Sequence, residues 1–222
     1  VLRMVQELGA MTWSVFFLVP TGRALRDDAM DAAAAEDVLN FLYDAGHLVS
    51  VKATEAHHYR RVALQRAECE RRGVDPVSAL GLGQTYRQLR EQLDELPPSS
   101  TSPVPSAGVR RPPLQISAGS GFAFVSHVGD VYPSGFLPMP GGNVRSESLR
   151  AIYRESQVFV DVRDSDRLGG RCGRCELRSV CGGSRARAFA VTGDVMAEEP
   201  LCSYEPGSFT WSDAGPALAE VR

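Results

Sequence analysis

The sequence predicts an α/β fold for the first part of the chain and a small α+β domain for the last part. Two apolar, strand-like runs at 13–20 and 47–54 are each followed by a helical pattern, and this alternation is typical of a parallel sheet with right-handed crossovers. After a proline-rich stretch, short strand patterns lead into a cysteine-rich segment. We therefore predict two units joined by a linker.

The first unit is predicted to have the order strand, helix, strand, helix. WSVFFLVP at 13–20 is continuously apolar, as expected of a strand buried on both faces. The helix at 27–45 begins with three aspartates and stops at Gly46, and a charged helix at 56–71 follows the strand at 47–54. Two parallel strands alone make no stable sheet, so we expect a longer chain or a partner to supply the others.

The boundary between the two units is predicted at 92–113. Six of the fourteen prolines and four serines lie in this stretch, a composition typical of an extended linker. The predicted units are residues 1–91 and 114–206, and 207–222 form a tail. Within the second unit we expect a β-hairpin at 121–136 and a short helix at about 146–156.

Composition and charge exclude several classes of protein. A net charge of −3 gives no basic excess for binding nucleic acid, and no apolar run approaches the ~20 residues that span a membrane. The first residues, VLRMVQELGAM, have a helical pattern and lack the features of a signal peptide. We therefore expect a cytoplasmic, reducing compartment, where clustered cysteines bind metal more often than they form disulfides.

Four cysteines form the clearest candidate site, at Cys172, Cys175, Cys181 and Cys202. The Cys-x2-Cys pair lets two thiolates from one tight turn face the same centre, and Gly173 gives that turn conformational freedom. Four thiolates suit either a tetrahedral zinc ion or a [4Fe–4S] cluster, and the spacing alone leaves both open. A disulfide pair is the less favoured third alternative.

Glycines and arginines surround these cysteines in the sequence. Gly182 and Gly183 follow Cys181 directly and allow backbone N–H groups to approach the sulfurs. The same segment is rich in cations, which would stabilise a negatively charged cluster and raise its reduction potential. These cations are Arg171, Arg174, Arg178, Arg185 and Arg187.

Several motifs recur in a characteristic order in the second unit: GDVYPSGFLP, GNVR, SLRAIYR, CGRCELRSVCGGSRARAFAVTGD and EPLCSYEP. Over roughly 115–206 this order resembles the SPASM extension of radical S-adenosylmethionine proteins, in the branch of heme and heme d1 biosynthesis. Upstream, WSVFFLVPTGR and VKATEAHHYRR look like the last two βα units of that family's partial (β/α)6 barrel. The resemblance therefore implies the C-terminal part of such a barrel followed by a small α+β iron–sulfur SPASM domain.

The resemblance also implies what the cysteines bind. Cys172, Cys175, Cys181 and Cys202 match the ligands of one auxiliary [4Fe–4S] cluster, which favours iron–sulfur over zinc. A full SPASM domain holds two such clusters, but Ser134 and Arg185 stand where cysteines of the first are expected. We therefore expect one auxiliary cluster, which serves electron transfer or structure.

One defining motif of the family has no counterpart in the sequence. The 222 residues contain no Cys-x3-Cys-x2-Cys loop for the cluster that cleaves S-adenosylmethionine. The resemblance thus places the chain in the C-terminal half of an enzyme whose intact form would bind S-adenosylmethionine and a second [4Fe–4S] cluster. That enzyme would modify a tetrapyrrole or a ribosomal peptide, with a donor such as ferredoxin or flavodoxin. Alternatives are a non-catalytic four-cysteine zinc or iron–sulfur module that docks to a partner, and a decayed reading frame.

Candidate contacts with a substrate follow the two predicted strands, because barrel enzymes place such residues beyond the C-terminal strand ends. His57 and His58 are adjacent, so their side chains diverge and joint metal ligation is disfavoured. The fifth cysteine, Cys69, is predicted to be a packing thiol. The substrate-side candidates are Gly22, Arg23, Lys52, Thr54, Glu55 and His57.

Overall fold

The structure, a computed structural model, describes residues 1–95, here the N-terminal unit, and 116–212, the C-terminal unit. Helices and strands are mixed in both units. The strands are β1 (Thr12–Phe16), β2 (Ser50–Thr54), β3 (Phe124–Val125), β4 (Asp130–Tyr132) and β5 (Gly142–Asn143). The helices are α1 (Leu2–Glu7), α2 (Ala32–Ala45), α3 (Tyr59–Arg72), α4 (Pro76–Leu80), α5 (Gln84–Asp94), α6 (Leu149–Glu155), α7 (Gln157–Arg163), α8 (Gly170–Arg174), α9 (Arg178–Cys181) and α10 (Arg185–Thr192).

The strand–helix–strand–helix order of the N-terminal unit is confirmed. β1 and β2 pair in parallel, with Thr12 opposite Ser50 and Phe16 opposite Thr54. Helix α2 connects them and begins at Asp31, whose carboxylate accepts the N–H of Ala34 and so satisfies a free donor of the first turn. The C-terminal ends of both strands therefore lie at one edge of the sheet.

Strand β1 differs from the prediction in length and burial. It ends at Phe16, and burial on both faces is wrong, because Phe16 is 56% exposed while Trp13 and Val15 pack on the core. Within the described residues the core of the N-terminal unit lies on one face of the two-stranded sheet. Ser14 and Phe16 alternate with these core residues, so the strand periodicity of two turns them to the open face.

Helices α4 and α5 were not predicted, and α5 occupies the first residues of the stretch assigned to a linker. It ends at Asp94 and buries Leu93, so 92–94 are helical; residues 96–113 of that stretch lie outside the described residues. The N-terminus of α5 is capped by a side chain that is distant in the sequence. The Asp37 carboxylate on α2 accepts the N–H groups of Gly83 at 2.8 Å and Tyr86 at 3.2 Å.

The C-terminal unit contains the predicted hairpin, in which β3 and β4 pair antiparallel with Phe124 opposite Tyr132. Strand β5 adds to the other side of β4. The predicted short helix is present as α6, and α7 follows it directly. Val131, Ile152 and Phe159 form a small core between the sheet and these two helices.

The two units are joined by a buried arginine. Arg187 on α10 is 1% exposed and donates to the carbonyls of Phe17 (3.1 Å), Leu18 (2.9 Å) and Glu55 (2.6 Å). Its guanidinium also pairs with Glu199 at 3.0 Å, where both side chains are almost fully buried. Arg187 therefore fastens the segments that leave both parallel strands to the C-terminal unit.

Two adjacent histidines lie near this junction. His58 is fully buried, and neither ring nitrogen has a hydrogen-bond partner among the described residues. Burial, reinforced by Arg61, lowers the pKa of His58 to about 3. Burial, reinforced by Arg60, lowers the pKa of His57 to about 3. Both imidazoles are therefore neutral near pH 7.

No helix within residues 1–95 and 116–212 combines the length and apolar character that crossing a bilayer requires.

We predict that His58 makes the chain sensitive to acid. Each unfolded histidine binds a proton near its ordinary pKa of about 6.5, whereas folded His58 does so only near about 3. The unfolded state binds more protons between these values, so the free energy of unfolding decreases as the pH falls through this window. The slope from one such group approaches about 1.4 kcal/mol per pH unit.

Urea unfolding between about pH 5 and about pH 7 measures this slope. Glu36, Arg61 and Arg187 are the charged groups that act on His58. His58→Leu should flatten the slope, whereas His127→Gln at an exposed position should leave it unchanged. An unchanged slope in His58→Leu would show that the acid sensitivity has another source.

We predict that Arg187→Met lowers the free energy of unfolding by about 3–5 kcal/mol, because Glu199 would remain buried without its cation. Arg90→Met is the matched control, since Arg90 pairs with Asp94 on the helix surface, and its loss should cost at most about 1 kcal/mol. Chemical denaturation of the two variants measures both values. Equal losses would contradict a special role for the buried pair.

Candidate metal centre

The Cys-x2-Cys pair is presented by a short helix. Cys172 lies within α8, and Cys175 follows the last residue of that helix. Gly173 does not have a positive φ, so the predicted need for conformational freedom does not explain this glycine. Instead, a Cβ at this position would lie 2.1 Å from the Leu168 carbonyl oxygen. Gly173 is therefore required for space and not for a left-handed conformation.

Cys181 and Cys202 come from two further segments. Cys181 is the last residue of α9, and the two glycines after it, Gly182 and Gly183, both have positive φ, of 65° and 62°. Cys202 lies in the loop that follows α10, where its N–H donates to the Glu199 carbonyl. The structure thus brings together side chains that are up to thirty positions apart in the sequence.

All four cysteines line one pocket. Each also accepts a backbone N–H: Glu199 donates to Cys172 at 3.3 Å, Leu177 to Cys175 at 3.4 Å, Gly183 to Cys181 and Tyr204 to Cys202. Cysteine ligands of iron–sulfur centres receive bonds of this kind, which contribute to the reduction potential. The sulfur atoms are therefore held by the backbone in one shared environment.

The cysteines of this pocket have free thiols and are partly buried. Within the described ranges no disulfide forms, and no group of three or more His, Cys, Asp or Glu side chains has the arrangement for a single metal ion. Burial raises the pKa of Cys175 to about 11 and that of Cys181 to about 12, and the Cys202 thiolate adds to the rise at Cys181. A bound metal centre would have to displace these protons, as thiolate ligation requires.

Arginines line the pocket together with the cysteines. Arg171 pairs with Glu198 at 3.1 Å, and Arg178 pairs with Asp166 at 3.0 Å; both arginines are partly exposed. Gly182 also lines the pocket. Two other predicted neighbours do not: Arg174 is exposed, and Arg185 donates instead to the carbonyls of Val195 and Ala197, both at 2.8 Å.

Sequence reasoning missed Arg61, which lines the same pocket from helix α3. Its Nη2 lies 3.8 Å from the Cys202 sulfur. Burial raises the pKa of Cys202, the Arg61 charge opposes that rise, and the Glu36 carboxylate adds to it. Arg61 lies three positions after His58 and one before Val62, both buried, and a cation on the core-facing side of a helix is a signal that could have found it.

The substrate-side candidates lie in β2 and in the segments that follow the two parallel strands. Gly22, Arg23 and Lys52 are exposed, and the Thr54 hydroxyl lies 3.2 Å from that of Ser14. The Nδ1 atom of His57 is buried without a hydrogen-bond partner in the part of the chain described. Because β1 and β2 are parallel, the segments that follow them leave the sheet at the same end.

Glu55, directly after β2, is hydrogen-bonded to the C-terminal unit. Its carboxylate accepts the Ser184 hydroxyl at 2.6 Å and a hydrogen bond from Ser134, which is 4% exposed. Burial raises the pKa of Glu55, and these two hydrogen bonds and the Arg187 charge oppose that rise. The edge of the sheet is thereby hydrogen-bonded to two different segments of the C-terminal unit.

Sequence comparisons give the relationships of the chain, although no family model matches it. It is similar to an AdoMet-dependent heme synthase of Nitratidesulfovibrio vulgaris, with 39% identity over 214 residues that cover 95% of this chain and 51% of that protein. A PqqA peptide cyclase of Rhizobium meliloti is 33% identical over 118 residues, covering 51% of this chain and 30% of the cyclase.

A pre-heme d1 synthase of Dinoroseobacter shibae is 34% identical over 90 residues, which cover 39% of this chain and 22% of the synthase. The chain spans about half the length of the heme synthase that it matches. The most extensive of these similarities is to the heme synthase, and the resemblance seen in the cysteine motifs points the same way. The chain belongs to the radical S-adenosylmethionine family, in the branch of the heme and pre-heme d1 synthases.

Proposed function

We propose that Cys172, Cys175, Cys181 and Cys202 hold one auxiliary [4Fe–4S] cluster in a SPASM-type radical S-adenosylmethionine protein. The observation that carries this proposal is the convergence of four cysteines from three segments on one pocket. Four cysteine sulfurs are the complete ligand set of such a cluster. The donor chemistry of the pocket therefore fits the group.

The surroundings of the thiols support the same assignment. A cluster with four thiolates is negatively charged, and Arg61, Arg171 and Arg178 line the pocket that would contain it. Because protein sulfurs occupy all four iron positions, no iron is left open for a substrate. The cluster would then serve electron transfer or stabilise the C-terminal unit, and the substrate would bind elsewhere.

Ser134 and Arg185 occupy two positions where a second auxiliary cluster would need cysteine ligands. Their side chains support the presence of a single auxiliary cluster. Ser134 is buried and hydrogen-bonded to Glu55, and Arg185 is fixed to the carbonyls of Val195 and Ala197. Serine is a poor ligand for iron, and arginine offers no acceptor atom. Both side chains thus make hydrogen bonds within the protein, Arg185 through its Nη1 atom.

For the intact protein we propose modification of a tetrapyrrole by radical chemistry, with a ribosomal peptide as the less favoured substrate. The match to the heme synthase covers nearly the whole chain, whereas the match to the peptide cyclase covers about half of it. S-adenosylmethionine and its own [4Fe–4S] cluster would be held by residues outside this sequence. The edge with Arg23, Lys52, Thr54, Glu55 and His57 would face the substrate, and a cytoplasmic ferredoxin or flavodoxin would supply electrons.

We predict that anaerobic reconstitution with iron and sulfide gives a brown protein with about four irons and four sulfides per chain. Cys181→Ala and Cys202→Ala should each bind much less iron, because each removes one ligand from the pocket. Cys69→Ala is the control, since Cys69 is buried in α3 and does not line this pocket.

The same preparations separate the alternatives. A colourless protein that retains one zinc per chain would contradict the cluster and favour a zinc module. Unchanged iron in all four single cysteine variants would show that the sulfurs do not share a metal centre.

We predict that Gly173→Ala also impairs binding of the cluster, although it removes no ligand. The added Cβ would overlap the Leu168 carbonyl oxygen, so the turn between Cys172 and Cys175 would have to move at a cost of about 1–3 kcal/mol. Gly135→Ala is the matched control, because a Cβ there makes only ordinary contacts with Phe124. Iron analysis after reconstitution measures the difference, and equal iron in both variants would contradict the steric argument.

A further inference from the structure

Arg61 is the buried cation of the candidate metal centre, and it comes from the N-terminal unit. Its side chain is 2% exposed, its Nη2 lies 3.8 Å from the Cys202 sulfur, and its guanidinium lies 4.9 Å from the centre of the Tyr204 ring. Arg171 and Arg178, which also line the pocket, are 26% and 41% exposed. Water screens exposed charges more strongly, so Arg61 acts on the pocket with the least attenuation.

Glu36 on α2 holds this guanidinium in place. The two Glu36 carboxylate oxygens accept hydrogen bonds from Nη1 of Arg61 at 2.8 Å and from Nη2 at 2.5 Å. The Gln65 side chain also accepts a hydrogen bond from Nη1, at 2.7 Å. A bidentate pair of this kind fixes the plane of the guanidinium as well as its position. The cation therefore faces the Cys202 sulfur, and its partner anion sits behind it on α2.

We propose that the Arg61–Glu36 pair sets the reduction potential of the cluster on the four cysteines. This inference rests on the proposed function, because it requires that cluster to be present. Reduction adds one electron from a one-electron protein donor to the cluster, and no bond forms or breaks. The nearer positive charge stabilises the added electron, and the carboxylate partly cancels that effect, so Arg61 raises the potential and Glu36 lowers it.

Opposite effects of the two partners distinguish this role from a structural one. Loss of either partner breaks the same buried ion pair, so a purely structural role predicts similar damage from both changes. An electrostatic role predicts that Arg61→Met lowers the potential and Glu36→Gln raises it. Arg61→Lys keeps the charge and should remain closer to the parent protein than Arg61→Met does.

The experiment uses the reconstituted chain and has two readouts. Iron and sulfide are measured first, and the midpoint potential is then followed by electron paramagnetic resonance during a redox titration with dithionite and mediators. For Arg61→Met we expect about a tenfold lower equilibrium constant for reduction, which is about 59 mV for a one-electron couple, and for Glu36→Gln a shift of opposite sign. Arg71→Met removes a cation that is 56% exposed and pairs with Glu68 on the same helix, and it should leave the potential unchanged.

The outcomes separate this inference from the proposed function. Full iron with no shift, or with shifts of the same sign in Arg61→Met and Glu36→Gln, overturns the inference and leaves the cluster in place. A parent chain that binds no cluster overturns both. If Arg61→Met does not fold because Glu36 is left unpaired, the double variant Glu36→Gln with Arg61→Met replaces it. Its potential must then lie below that of Glu36→Gln alone, and equal potentials overturn the inference.

Discussion

The buried pair of Arg187 and Glu199 determines how the cysteine segments meet the sheet. Arg187 donates to three backbone carbonyls that follow the parallel strands, while Glu199 accepts the N–H groups of Ser184 and Leu201. Glu199 also donates its own N–H to the Cys172 sulfur. One ion pair thus relates the strand ends, the start of α10 and the loop that carries Cys202. The pocket exists in this form because these segments converge on the same two side chains.

Local patterns allowed much of this arrangement to be predicted. The individual strands, the hairpin and the Cys-x2-Cys-x5-Cys group follow from periodicity and spacing, because each depends on residues close together in the sequence. Asp37 caps α5 from 46 positions away, and Arg61 reaches Cys202 across 141 positions. No short sequence motif contains both partners of either contact. Gly173 was recognised for the wrong reason, since the space that it leaves for the Leu168 carbonyl exists only in the folded chain. The open face of β1 was missed because an apolar run does not tell whether a second layer covers it.

Family relationship and geometry contribute different parts of the functional argument. The heme synthase similarity indicates the kind of chemistry, but it does not say which side chains act together in this chain. The structure supplies that grouping, with the four cysteines in one pocket and the ends of the parallel strands at one edge of the sheet. Arg61 and His57 belong to one stretch of chain at the start of α3, so the two regions are close in sequence.

The backbone at Glu55 is held in a conformation that it would not adopt unaided. Glu55 has φ of 55°, the only positive value at a non-glycine residue in the described ranges, and such a conformation costs an L-residue about 1–2 kcal/mol. Arg187 donates a hydrogen bond to the Glu55 carbonyl, and the Ser184 and Ser134 hydroxyls donate to its carboxylate. If the C-terminal unit separated from the sheet, Glu55 would lose these hydrogen bonds, and its backbone would return to a conformation with negative φ. The C-terminal unit therefore fixes the backbone conformation at the end of β2, in addition to carrying the four cysteines.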